Sequence, residues 1–154
     1  VHYKYEFCQT LIADYITKHR AMGETRDVLI FVASDEEPFI TFMQDKFPGQ
    51  VCATDSLRAA ISTSGLDIDT SKCDKGVMNS PNCRRYNELI DQSIHRGMGD
   101  KSSYKKGEDV LLDVLLLSAC DVFFRSRGNV SNFIGYLNPN CEVIDMVDRY
   151  HTRV

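Results

Sequence analysis

The chain predicts an α/β fold, and three consecutive stretches predict it. "DVLIFVAS" (27–34) is an unbroken apolar run with polar residues on both sides, the pattern of a strand buried on both faces of a parallel sheet. "DEEPFITFMQDKFPG" (35–49) opens with acids and a proline and closes at Pro48-Gly49, so it carries the signals for both ends of a helix. "QVCAT" (50–54) is then a short second strand. Strand, helix, strand makes a βαβ unit, whose crossover joins parallel neighbours.

The flanking elements follow from periodicity. Within 3–22, Tyr5, Phe7, Cys8, Leu11, Ile12, Tyr15 and Ile16 recur at helical spacing, and the helix should end near Gly23. Tyr3, Tyr5, Phe7 and Tyr15 suit packing along that helix rather than base stacking. Residues 55–104 are less regular: Ser, Gly, Asp, Asn, Lys and Pro dominate 62–83, and 84–95 suits a short helix. An irregular insertion of that length is expected to be functional or mobile. Order returns with a helix at 108–119, a strand at 121–125, a helix at about 129–137 and a strand at 141–146. No internal repeat interrupts this, and 154 residues suffice for one domain with a sizeable core.

Composition narrows the partners. With 43% hydrophobic and 26% charged residues the chain is expected to be globular and soluble. A formal charge of -4 supplies no whole-protein attraction to nucleic acid. No apolar run is long enough to span a bilayer. No signal-peptide pattern is present, and the sequence opens on Val1 rather than Met, so upstream residues are expected. Localisation is left open between a Golgi or secretory lumen and the cytoplasm. Of the six cysteines, Cys120 and Cys141 lie in apolar surroundings and are expected to be packed thiols. Cys73 and Cys83 share a polar loop where a disulfide fits, but no short Cys pair with a nearby His completes a zinc set, and no metal is expected.

The chemistry concentrates in "GEDVLLDVLLLSACDVFFRSRGNVSNF" (107–133). The helix at 108–119 is apolar nearly all round and should be buried. It keeps two acids four residues apart, Asp109 and Asp113, on one face. An ionised Asp113 is costly in an apolar core without a partner. Either it sits on a helix edge that reaches solvent or a Lys or Arg, or it points into a ligand cleft. A carboxylate matches the adjacent N1–H and N2–H donors of a guanine edge. After the strand comes a turn of Ser126, Arg127, Gly128, Asn129 and Val130. Ligands of open α/β sheets bind beyond the carboxyl ends of strands, and a helix N-terminus there can hold a phosphate. Gly128 allows unusual backbone angles, Ser126, Asn129 and Ser131 suit a helix cap, and Arg125 and Arg127 add positive field. Such a turn is also an ordinary part of any α/β unit, with its arginines merely solvated.

Together, "FVASDEEPFITFMQDKFPG" and "GEDVLLDVLLLSACDVFFRSRGNVSNFIGYLNPN" resemble two sequence blocks of the fucosyltransferase superfamily, nearest its nodulation-type and α1,6-linking branches. Their order and separation fit, and they span most of 27–146, while 55–104 matches poorly. The resemblance implies a GT-B glycosyltransferase whose Rossmann-like C-terminal domain holds GDP-fucose, with a glycan or glycoconjugate as acceptor and no further cofactor. It implies that Asp113 is the guanine-binding acid and that Asn129 stands for a serine near the diphosphate. It also implies that Asp35 and Glu36 are the acidic pair supporting the nucleotide pocket and its arginines, with Ser34 where the family often has threonine.

The family's His-x-Arg block, whose arginine helps the sugar leave, has no match in 1–26. The catalytic cation is therefore unassigned, and that block and the acceptor domain are expected upstream or are lacking. His95 in "IHRGMGD" is a candidate for catalysis or a phosphate contact, against the plainer reading of a solvated loop histidine. Arg84-Arg85 suits surface charge better than phosphate binding, and Asp67-Ile68-Asp69 has the letters of a metal-binding DxD without a strand before it. The competing readings are a non-catalytic nucleotide- or phosphate-binding module and an unrelated flavodoxin-like or receiver-like domain. A receiver's phospho-acceptor Asp and Lys have no evident place, and neither a phosphate loop nor a G-x-G-x-x-G fingerprint is present.

Overall fold

A computed structural model describes residues 4–60, 103–126 and 128–146. The elements run α1 (Tyr5–Ala21), β1 (Ile30–Phe31), α2 (Glu37–Lys46), β2 (Val51–Cys52), α3 (Ser103–Ser118), β3 (Val122–Arg125), α4 (Asn129–Leu137) and β4 (Glu142–Asp145). The fold is mixed α/β, and both strand pairs are parallel, as the βαβ pattern requires. Among the described residues the strands form two pairs, β1 with β2 and β3 with β4.

The first unit forms because Pro38 starts α2 while the Phe47–Gly49 turn stops it, and Gly49 takes a positive φ of 73° that suits glycine. Ile30 and Val32 N–H groups donate to the Gln50 and Cys52 carbonyls at 2.7 and 2.9 Å. The run 27–34 is not buried on both faces as expected. Leu29 is exposed, Ile30 and Phe31 are half-buried, and Val32 alone of these enters the core. Among the described residues the two-strand ladder has one packed face, which leaves the rest nothing to enter. Val32, Ile40 and Met43 form the core here, with Ile12, Phe39, Phe42, Phe47 and Val51 packed against them.

The second unit has its own core of Val114, Phe123, Ile134 and Cys141, with Leu117 against it. Cys141 is buried and Cys120 half-buried, both as free thiols. Burial leaves the Cys120 and Cys141 thiols above the ordinary range. Two helices tie the units together. Tyr5 of α1 packs on Phe39 and Phe42 and donates its hydroxyl to Glu36. Two turns and more along the same helix, Tyr15 meets Phe124 edge-on and donates to Glu142 Oε2 at 2.7 Å. Burial, then Glu142, push the Tyr15 hydroxyl up to about 12, so it stays a donor through neutral pH.

α3 is the second tie, and it departs from expectation. It begins at Ser103, not 108, and it is not buried all round. Val114 and Leu117 enter the core, while Leu111, Leu112, Leu115 and Leu116 are exposed. Asp109 and Asp113, one turn apart, meet the loop after β2, and Val114 and Leu117 meet the core, which leaves the four leucines exposed. Among the described residues no helix is long and apolar enough to cross a membrane.

Truncating the fully buried side chains should cost most. Met43→Ala and Ile134→Ala should each lose about 2–5 kcal/mol in urea denaturation, whereas Leu115→Ala, on the outward face of α3, should change stability by about 0.5 kcal/mol or less.

Candidate functional site

The site grows from the loop that leaves β2. Its far end returns to the start of α2: the Ala59 N–H donates to the Asp35 carbonyl at 2.7 Å, and the Glu37 N–H donates to the Ala59 carbonyl at 2.9 Å. Ala59 and Glu36 thereby form a parallel bridge. With both ends anchored, the middle of the loop lies against α3. The Leu57 N–H donates to Asp109 Oδ2 at 3.0 Å, and Thr54 Oγ1 donates to Asp113 Oδ1 at 2.6 Å. Ser56 Oγ lies 2.5 Å from Thr54 Oγ1.

Arg58 braces the loop from within. Its side chain is 8% exposed and sits 3.5 Å from Glu37 Oε2. It donates to the Ser56 carbonyl at 3.4 Å and to the Thr54 carbonyl, while its buried Nε has no hydrogen-bond partner among the described residues. A guanidinium this deep is held by carbonyls and one carboxylate together, as a buried charge must be.

The two acids of α3 are sorted by their surroundings. Asp109 accepts from Lys105 Nζ at 2.7 Å and from the loop N–H. Lys105, then that N–H, hold its carboxyl below the usual carboxylate range. Asp113 is half-buried, and desolvation lifts its carboxyl above that range, with the Thr54 hydroxyl and Arg58 acting in the opposite direction. One acid thus serves as a structural clasp. The other is a more weakly compensated carboxylate on α3, met by Thr54 two residues beyond the end of β2. At Asp113 the partner is the Thr54 hydroxyl from a distant loop, with Arg58 near enough to favour its charge.

Other expected residues fall in different places. Ser34 Oγ accepts the Glu36 N–H at 3.1 Å and shapes the turn into α2. The Glu36 carboxylate accepts the Tyr5 hydroxyl. Asp35 contributes its carbonyl to the loop anchor, and its side chain is exposed. It is Glu37, outside the expected acidic pair, that meets the arginine of the site.

The second expected cluster has partners of its own. Arg125 is engaged by Asp145 at 3.3 Å and by Asn132 Oδ1 at 3.3 Å. Ser126, Gly128, Asn129 and Val130 are exposed. Gly128 caps α4 with extended backbone (φ -178°), and a Cβ there would meet nothing within 4 Å, so the expected need for glycine does not hold. The N-cap of α4 is Gly128 rather than Ser126, Asn129 or Ser131, and among the described residues no side-chain hydrogen bond caps it. Asp113 and Arg125 share no partner among the described residues. Arg127, His95, Arg84, Arg85, Asp67, Asp69, Cys73 and Cys83 lie outside those residues.

Thr54 and Arg58 had no signal in the sequence: each is a common residue in a polar loop, and Thr54 meets Asp113 across 59 positions. Compared with known proteins, the chain matches no family model, no curated protein and no solved structure.

The clasp makes a pH-dependent prediction. Asp109→Ala leaves the Leu57 N–H without its acceptor and should destabilise by about 1–3 kcal/mol at pH 7. Because the Asp109 carboxyl is held low, its contribution is present above the ordinary carboxylate pKa and is lost as pH falls through the lowered value. The gap between wild type and variant in urea titrations should therefore narrow in strong acid.

Proposed function

We propose that this chain is a guanine-nucleotide-binding α/β module, the donor-binding part of a fucosyltransferase-like glycosyltransferase that takes GDP-fucose. The observation that carries the reading is Asp113. It is a half-buried carboxylate beyond the carboxyl end of the β1–β2 pair, met by a neutral hydroxyl at 2.6 Å while its neighbour Asp109 takes the lysine. Ligands of parallel α/β sheets bind at that end of the strands. An ionised carboxylate can accept two adjacent N–H donors, which guanine offers and adenine and uracil do not offer in that pattern. The exposed, uncapped start of α4 is compatible with a diphosphate, whose charge its N–H groups would oppose. The acceptor would be a glycan or glycoconjugate hydroxyl.

A specific observation favours binding without transfer. Expelling a nucleoside diphosphate needs cations placed where its charge develops. Arg58 is engaged by Glu37 and Arg125 by Asp145. Donor binding is thus assigned to Asp113 and its surroundings, and neither of these two arginines is assigned to transfer.

Calorimetric titration should show GDP bound in preference to ADP and UDP, with Asp113→Asn weakening GDP by about 1–3 kcal/mol. Equal affinity for all three, or none for any, removes the reading. GDP affinity should also fall with acid, and do so above the usual carboxylate range, because Asp113 must be ionised to accept both donors and burial lifts its pKa. In an assay with GDP-fucose and a mixture of glycans, the 154-residue chain should release little GDP. Rapid release would place a catalytic cation within it.

A further inference from the structure

We propose that Thr54 is the positioning residue for Asp113, setting the plane of its carboxylate for a two-donor ligand edge; this rests on the guanine reading above. The hydrogen-bond direction follows from proton count. Thr54 carries one hydroxyl proton, and an ionised carboxylate can only accept. At 2.6 Å the Thr54–Asp113 contact has the length of a hydroxyl donating to a charged oxygen. With that proton committed, Ser56 Oγ at 2.5 Å must be the donor to Thr54 Oγ1. The chain is thus polarised one way, from Ser56 to Thr54 to Asp113.

Its base is fixed independently. Arg58 donates to the Thr54 and Ser56 carbonyls, so both residues are gripped by one buried guanidinium. Glu37 at the start of α2 and Asp109 on α3 anchor Arg58 and the Leu57 N–H. Thr54 therefore approaches Asp113 from a loop held at several points, and its hydroxyl limits rotation of the carboxylate about its last bond. A carboxylate oxygen accepts more than one hydrogen bond, so Thr54 on Oδ1 leaves lone pairs on both oxygens for a ligand. Two adjacent N–H donors need those oxygens in one plane with them. A single donor does not. Thr54 thereby bears on selectivity between ligands that differ in the second donor, rather than on affinity in general.

The test compares GDP with IDP, which lacks the 2-amino group, and with ADP, in calorimetric titrations of the full chain and its variants. Wild type should prefer GDP over IDP by roughly tenfold, as loss of one arm of a two-armed base contact implies. Thr54→Val, which keeps the shape and removes the donor, should bring GDP and IDP to within about twofold of each other, and Thr54→Ser should restore the preference. A purely structural role for Thr54 would lower thermal stability and leave the GDP-to-IDP ratio at its wild-type value, and that outcome overturns the proposal. If Thr54→Val does not fold, Ser56→Ala keeps Thr54 in place and removes the group donating to it. Its GDP-to-IDP ratio should fall below wild type, and an unchanged ratio overturns the proposal equally. Wild type that does not separate GDP from ADP overturns the guanine reading itself, whereas wild type that does, with a Thr54→Val ratio unchanged, overturns the role of Thr54 alone.

Discussion

The grip of α3 on the loop after β2 is the contact on which the rest of the structure depends. Two carboxylates one helical turn apart meet a backbone N–H and a hydroxyl from one short loop. Neither contact joins neighbours in sequence, so each closes a long span of chain, and each is made possible by the other. Asp109 holds the loop against the helix through Leu57, and Thr54 lies opposite Asp113 one turn on. Lys105 compensates Asp109 within the same helix, which frees the loop from having to do so. Like-charged acids at this spacing repel. The arrangement lowers that cost by giving Asp109 a full cation and leaving Asp113 to weaker partners.

Around that grip, the two packed units are joined by polar contacts laid over apolar ones. The cores themselves are small and separate, one built on Met43 and the other on Ile134. α1 spans both, because Tyr5 and Tyr15 combine a ring that packs with a hydroxyl that seeks a carboxylate. Each tyrosine places its donor on an acid at the start of an element, Glu36 before α2 and Glu142 at the start of β4. The site loop is thus held between α2, whose start is fixed by α1, and α3, whose inner face belongs to the second core.

Much of this was legible in the sequence where the signal is local. Pro38 and the Phe47-Pro48-Gly49 stop bracket α2, and the helix expected at about 129–137 is found at Asn129–Leu137. The spacing of Asp109 and Asp113 correctly put both acids on one face. Apolar content was the less reliable guide. The leucines of α3 suggested burial on every side, but a helix has only as many buried faces as it has neighbours, and among the described residues Leu111, Leu112, Leu115 and Leu116 have none to enter. The continuous run 27–34 misled in the same way, since Leu29 is exposed beside a two-stranded ladder. Gly128 and the capping residues of α4 were given roles that its extended backbone and bare start do not bear. Thr54, Arg58 and Glu37 were not legible at all, because what distinguishes them is which distant residue they meet.

The central claim is a division of labour within one helix face: Asp109 holds the fold, and Asp113 holds a ligand. Carboxyl-carbon NMR of both aspartates, titrated with pH in the absence and presence of GDP, tests it most directly. Accepting two N–H donors favours the ionised form, so GDP should shift the Asp113 resonance and lower its apparent pKa, while Asp109 keeps its already depressed value. A response at Asp109, or none at Asp113 under saturating GDP, would contradict the account.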